Sequence, residues 1–256
     1  MSRAGRPRVL LVEDDLSLQR FVQLALEDFE IELLTVGSVD AGLAELARAP
    51  AALVLTDLML PDRSGFELIE ALAAQPALRA GARLAVFSAG LTPSTRERLE
   101  RPEVWRLLSK PCGLAELEAC VRDALAAEVV VPAPPSALEL TPEPTPEADD
   151  AGPPQARQAA AIAEHFGGNT PLYHAFRASC LQQFRADMAE GDQALAGGDA
   201  PALRRLAHSL KSVLLSLGHD QEAALAKALE LAGEQADTAA MRALWPRLRT
   251  ALGALR

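Results

Sequence analysis

From residue 8 to about residue 127 the chain alternates short apolar runs with longer stretches in which apolar residues recur every three or four positions. A short apolar run bounded by turn residues reads as a buried strand, and the 3.6-residue period reads as an amphipathic helix. The pattern predicts strands over 8–12, 31–36, 52–56, 84–87 and 104–108, and helices near 17–28, 39–48, 65–74, 93–100 and 113–127. Strand and helix in regular alternation imply a parallel five-stranded sheet with helices on both faces.

The pattern then changes twice. Residues 129–154 are rich in Pro, Ala, Glu and Asp and contain neither Lys nor Arg. Such a stretch cannot bury enough apolar surface to offset its ordering entropy, so it is expected to be a flexible, semi-stiff linker able to span up to about 80 Å. From 155 to 256 apolar residues return at helical spacing only, with breaks at Gly167-Gly168, Gly197-Gly198, Gly218 and around Gly233. Helices are predicted near 155–165, 171–196, 200–217, 220–234 and 237–254. The expected organisation is therefore an α/β unit of flavodoxin-like, doubly wound type over 1–128, a linker over 129–154, and a C-terminal all-α four-helix-bundle-type domain over 155–256.

Composition narrows the function. A net charge of -10 and a pI near 5.0 disfavour nucleic acid as a partner, since that affinity rests on clustered Lys and Arg. Arg3, Arg6 and Arg8 precede an apolar run, but Glu13, Asp14 and Asp15 end it, as in a strand and unlike an export signal. No apolar stretch is long enough to span a bilayer, so direct membrane insertion is not expected. Cys112, Cys120 and Cys180 have no disulfide-framework spacing and read as reduced thiols of a cytoplasmic protein.

In an open parallel sheet, ligands gather where the carboxyl ends of the strands meet their loops. Glu13, Asp14, Asp57, Ser88 and Lys110 all fall there. Carboxylates of this kind suit Mg2+, Asp57 can act as a nucleophile toward phosphorus, and Lys110 and Ser88 can hold phosphoryl oxygens. Taken singly, Asp14 or Asp15 could merely cap a helix, Asp57 end a strand, and Lys110 lie in solvent. Their joint spacing argues otherwise.

The blocks Val12-Glu13-Asp14-Asp15, Asp57-Leu58-Met59-Leu60-Pro61-Asp62-Arg63-Ser64-Gly65, Phe87-Ser88-Ala89 and Ser109-Lys110-Pro111 resemble the response-regulator receiver family. The resemblance covers about residues 6–127. It implies that Asp57 is the phosphoacceptor, that Glu13, Asp14, Asp57 and the backbone carbonyl of Met59 hold Mg2+, that Ser88 is the switch hydroxyl, and that Lys110 precedes a cis proline. An aromatic residue that the family often carries three positions before the lysine is Leu107 here, with Trp105 expected on the same face of the strand. Weak signalling through that face is the expectation.

In the second half, Leu203, Ala207, Leu210, Leu214 and Leu217 form one helical stripe. His208 lies about 160° from Leu210 around the axis and is therefore expected to point outward, with Lys211 and Ser212 on the same exposed face. A lone histidine is ordinarily a surface or capping residue. However, Ala207-His208-Ser209-Leu210-Lys211, followed by Leu217-Gly218, resembles the histidine-phosphotransfer (HPt) family, with Ser212 where a glycine is usual. That resemblance implies His208 as phosphohistidine and Lys211 as its electrostatic support. His165, His174 and His219 lack a lysine three residues on and read as structural or surface residues.

Together the two resemblances imply a two-component phosphorelay protein. Asp57 would accept a phosphoryl group from a phosphohistidine with Mg2+ as cofactor, and His208 would exchange it with receiver aspartates. No ATP-binding kinase motif is evident, so the implied partners are a sensor histidine kinase and other response regulators or HPt proteins. Aspartyl-phosphate autophosphatase activity, if any, is expected to be weak. The rival reading is a non-catalytic adaptor whose receiver regulates kinase docking and access to the HPt domain. A haloacid-dehalogenase-type phosphatase is disfavoured, because Met59 stands where that family wants a second Asp.

Overall fold

The most apolar runs become the middle of the sheet. The computed structural model describes residues 5–89, 93–100, 104–126 and 154–255. Its strands are β1 (Arg8–Val12), β2 (Glu32–Val36), β3 (Leu53–Thr56), β4 (Arg83–Ser88) and β5 (Arg106–Ser109). They pair in the order β2-β1-β3-β4-β5, each neighbour parallel, with Leu10 opposite Val54 and Val54 opposite Leu84. β1, β3 and β4 are buried almost throughout, whereas the edge strands β2 and β5 are partly exposed. The predicted strands are all present, displaced at their ends by at most two residues.

Alternation along the strands divides the core in two. Val9, Leu11, Leu53, Leu55 and Phe87 pack with α1 (Leu16–Ala25), while Leu10, Val12, Val54 and Val86 pack with α2 (Val39–Arg48) and α3 (Gly65–Ala74). A single turn not anticipated from the sequence, α4 (Pro76–Arg79), starts on proline and ends on Ala80 at φ 50°. α5 (Pro93–Glu100) and α6 (Leu114–Leu125) complete this half, with Leu99 in the second cluster and Leu117, Cys120 and Val121 in the first. Trp105 departs from expectation. It precedes β5 and packs with the first cluster, stacked on the Arg83 and Arg106 guanidinium groups, while Leu107 packs with the second. The two residues do not share a face, because regular alternation begins only after Trp105.

The C-terminal half is helical throughout its described residues: α7 (Pro154–Phe166), α8 (Thr170–Gly197), α9 (Ala200–Ser216), α10 (Asp220–Glu234) and α11 (Thr238–Ala254). Asn169, Asp199 and Asp237 accept backbone N–H bonds at the starts of α8, α9 and α11, each cap contributing about 1 kcal/mol. Gly198 ends α8 at φ 69°, a conformation that costs glycine least. Trp245 of α11 packs against Gly191 of α8, where any side chain would begin 2.1 Å from the indole ring. Its Nε1–H donates to Asp192 at 2.9 Å.

The two halves do not keep wholly separate cores. α1 packs on α8, and Phe21 of α1 meets the rings of Phe166 and Phe176 edge-on at 5.7 and 5.6 Å. Such pairs contribute about 0.5–1.5 kcal/mol each beyond the apolar area they bury. The segment expected as a linker lies outside the described residues except for Pro154, where α7 begins. All three cysteines are buried free thiols. No helix among the described residues is long and apolar enough to cross a membrane.

Candidate functional site

The sheet brings Glu13 after β1, Asp57 after β3, Ser88 at the end of β4 and Lys110 after β5 to one edge, all of them buried. The chain after Asp57 is held tightly. Leu58 and Met59 donate their backbone N–H groups to Asp57 Oδ1 at 2.5 and 3.4 Å. The glycine of the motif is explained here: a Cβ on Gly65 would stand 1.9 Å from the Asp57 carbonyl oxygen, so only glycine lets α3 start this close. Ser64 caps that helix in a reciprocal arrangement with Glu67.

Lys110 Nζ donates to Asp57 Oδ2 at 2.8 Å and also to the Glu13 carboxylate. The Lys110–Pro111 peptide is cis. Burial by itself would raise the Asp57 carboxyl. The Lys110 charge, then that of His208, together with hydrogen bonds from Lys110 and the Ser88 hydroxyl, bring it below the ordinary range instead. Glu13 goes the other way, pushed well up by burial and by the charges of Asp57 and Asp15 against the pull of Lys110. Lys110 is held protonated, because the two carboxylates outweigh its own burial.

Glu13, Asp14 and Asp57 each place an oxygen within 4.8 Å of the others'. Burial, then the charge of Asp57, raises Asp14 to about 6. Three crowded hard-oxygen donors with two of them driven toward neutrality are what a divalent cation relieves, so this donor set fits Mg2+. The adjacent acids divide the labour: Asp15, not Asp14, caps α1, accepting from Ser17 and Leu18 at 2.8 and 3.1 Å.

His208 departs from its expected position. It sits off the apolar stripe of α9, as predicted, yet is only 2% exposed, and Ser212 is buried beside it. α10 runs alongside and sends Glu230 to it: His208 Nδ1 lies 2.6 Å from Glu230 Oε1, while Lys211 Nζ donates to Glu230 Oε2 at 2.6 Å. The charge of His208 is also among the influences that lower the Asp57 carboxyl. Nε2 of His208 is buried with no hydrogen-bond partner among the described residues. Burial would raise the Glu230 carboxyl, but its bonds to His208 and Lys211 bring it down to about 2. Ser212, expected to leave room for a partner, turns its hydroxyl back toward the His208 carbonyl at 3.4 Å.

Glu230 was not foreseeable from the sequence. It lies 22 residues from His208, and only the packing of α9 on α10 makes them neighbours. A cavity of about 100 Å³ separates Asp14, Asp15 and Pro61 on one side from Asp187, Arg205 and Ser209 on the other. Burial raises the Asp187 carboxyl to about 7.

Both halves of the chain resemble known proteins. Residues 9–122 match the response regulator receiver domain and residues 175–256 the Hpt domain. The KDP operon transcriptional regulatory protein KdpE of Escherichia coli is 34% identical over 117 residues, 46% of this chain. The chain spans only half the length of KdpE. The response regulator receiver protein CpdR of Brucella abortus is 30% identical over 111 residues, 43% of this chain and 89% of CpdR. Among solved structures, the chemotaxis response regulator CheY4 of Vibrio cholerae is 22% identical, with a TM-score of 0.43 over 47% of this chain and 99% of that one. The chain belongs to the response regulator receiver family, and its C-terminal half matches the Hpt domain.

Proposed function

We propose that Asp57 accepts a phosphoryl group from a phosphohistidine and that His208 exchanges phosphoryl groups with receiver aspartates. The observation that carries this reading is the Asp57 carboxylate, ionised and bonded to Lys110 and Ser88 at the edge of the sheet. An ionised carboxylate has the lone pair needed to attack phosphorus, and it is already flanked by donors for the phosphoryl oxygens. Lys110 would follow the negative charge as it spreads over those oxygens. Glu13, Asp14, Asp57 and the Met59 backbone carbonyl would hold Mg2+, which supplies charge neutralisation at the transferring group.

On the bundle, Glu230 fixes the imidazole. A carboxylate 2.6 Å from Nδ1 keeps the proton there, which leaves Nε2 with its lone pair free. Lys211 would stabilise the phosphorylated product from the other side of the same carboxylate. The phosphoryl donor would be a sensor histidine kinase or another phosphorelay protein.

The reading is tested by incubating the chain with a phosphorylated kinase or HPt protein and separating base-labile aspartyl label from base-stable histidyl label. Asp57→Asn is expected to abolish the first, and His208→Gln the second. Flux through His208 that survives Asp57→Asn undiminished would instead favour the adaptor reading, in which the receiver governs access to the HPt domain.

A further inference from the structure

The boundary between the two halves indicates where His208 finds its partner. Phe21 of the receiver, 5% exposed, packs edge-on against the mutually touching rings of Phe166 and Phe176 of the bundle, and one apolar cluster runs through both halves. Gly113, just before α6, lies so close to α7 that a Cβ there would be 3.3 Å from the Glu164 carbonyl oxygen. The cavity left between the halves is lined by Asp14 from the receiver site and by Ser209, the neighbour of His208, from α9. Finally, a histidine nitrogen is buried with no partner among the described residues, although its other nitrogen is held by Glu230. A buried polar atom left unpaired is costly, and the cost is tolerated where the atom has chemistry to perform.

We infer that Asp57 and His208 of the same chain are each other's transfer partners, the bundle being seated on the receiver with the unpaired Nε2 of His208 turned to the carboxylate edge of the sheet. This rests on the roles proposed for the two residues and adds the identity of the partner. The Nε2 lone pair attacks phosphorus of the aspartyl phosphate. An N–P bond forms, the bond from phosphorus to the Asp57 oxygen breaks, and its electron pair returns to the carboxylate beside Lys110. No proton has to leave, because the Nδ1–H stays on the ring and the resulting positive charge faces Glu230. The reverse step follows the same path.

The test loads Asp57 of the full chain with acetyl phosphate in Mg2+ and follows the appearance of base-stable label. Transfer within the chain predicts a half-time unchanged over a roughly hundredfold dilution, because the tether fixes the local concentration. It also predicts no base-stable label in a dilute mixture of Asp57→Asn and His208→Gln chains. A half-time that lengthens in proportion to dilution, with the mixture labelled as fast as the native chain, overturns the inference and leaves the roles of the two residues standing. Base-labile label that never becomes base-stable at any concentration overturns both the inference and the role given to His208.

Discussion

The two proposed nucleophile sites are built with opposite charge order. On the receiver, one cation lies between two acids: Lys110 bridges Asp57 and Glu13. On the bundle, one acid lies between two bases: Glu230 bridges His208 and Lys211. The central group in each case bears on the protonation of the residue proposed to react. Lys110 holds the Asp57 carboxyl down against its burial, and in the proposed arrangement Glu230 accepts from Nδ1, which would leave Nε2 free. A carboxylate must lose its proton to attack, whereas an imidazole must keep one in a chosen place, and the reversed order follows from that difference.

Removing the bridging cation should have the largest effect. Lys110→Met leaves Glu13 and Asp57 buried together without their counter-ion and removes a donor for the phosphoryl oxygens; labelling of Asp57 by acetyl phosphate is expected to slow by about 100- to 1,000-fold. Removing the bridging acid should cost less. Glu230→Gln is expected to slow transfer to His208 by about 10- to 100-fold, and the ring-nitrogen chemical shifts of His208 should show the proton distributed over both positions. Unchanged shifts would mean that Glu230 does not set the tautomer.

A change at the seam tests whether the two sites work as a pair. Phe21→Ala should slow aspartate-to-histidine transfer by about tenfold while acetyl phosphate still labels Asp57, since the substitution loosens the seat and leaves both charge clusters intact. The smallest effect is expected at the cavity. The Asp187 carboxyl titrates near 7 when folded against an ordinary value of 3.8, so the folded state binds the proton more tightly. Its contribution to stability is therefore full below the lower value and is lost as pH rises through the upper one. Calorimetry should find Asp187→Asn melting a few degrees above the native chain at pH 8 and level with it at pH 4.

What the sequence disclosed follows from the range of the forces involved. The strands and helices are set by local periodicity, and the bundle helix over 220–234 was placed to the residue. Asp57, Lys110, Ser88 and Glu13 were legible because a parallel sheet carries each strand's end to the same edge whatever the loops do. The burial of His208 was not legible. Angle around a helix separates a residue from that helix's own stripe, but says nothing about a second surface arriving from elsewhere. Glu230 and the Phe21 seam were hidden for the same reason, as both depend on how finished elements pack. Trp105 was misplaced because strand alternation was extended past the point where the strand begins.

The contact between Trp245 and Gly191 gives the chain an optical property. Of its two tryptophans, one is sealed inside the bundle with its indole N–H on Asp192, and the other is stacked on arginines at the rim of the sheet. Each half thus carries one emitter in a different setting. With Trp105→Phe or Trp245→Phe, fluorescence would follow the loosening of one half at a time, and the spectral difference between the two would date their separation from each other.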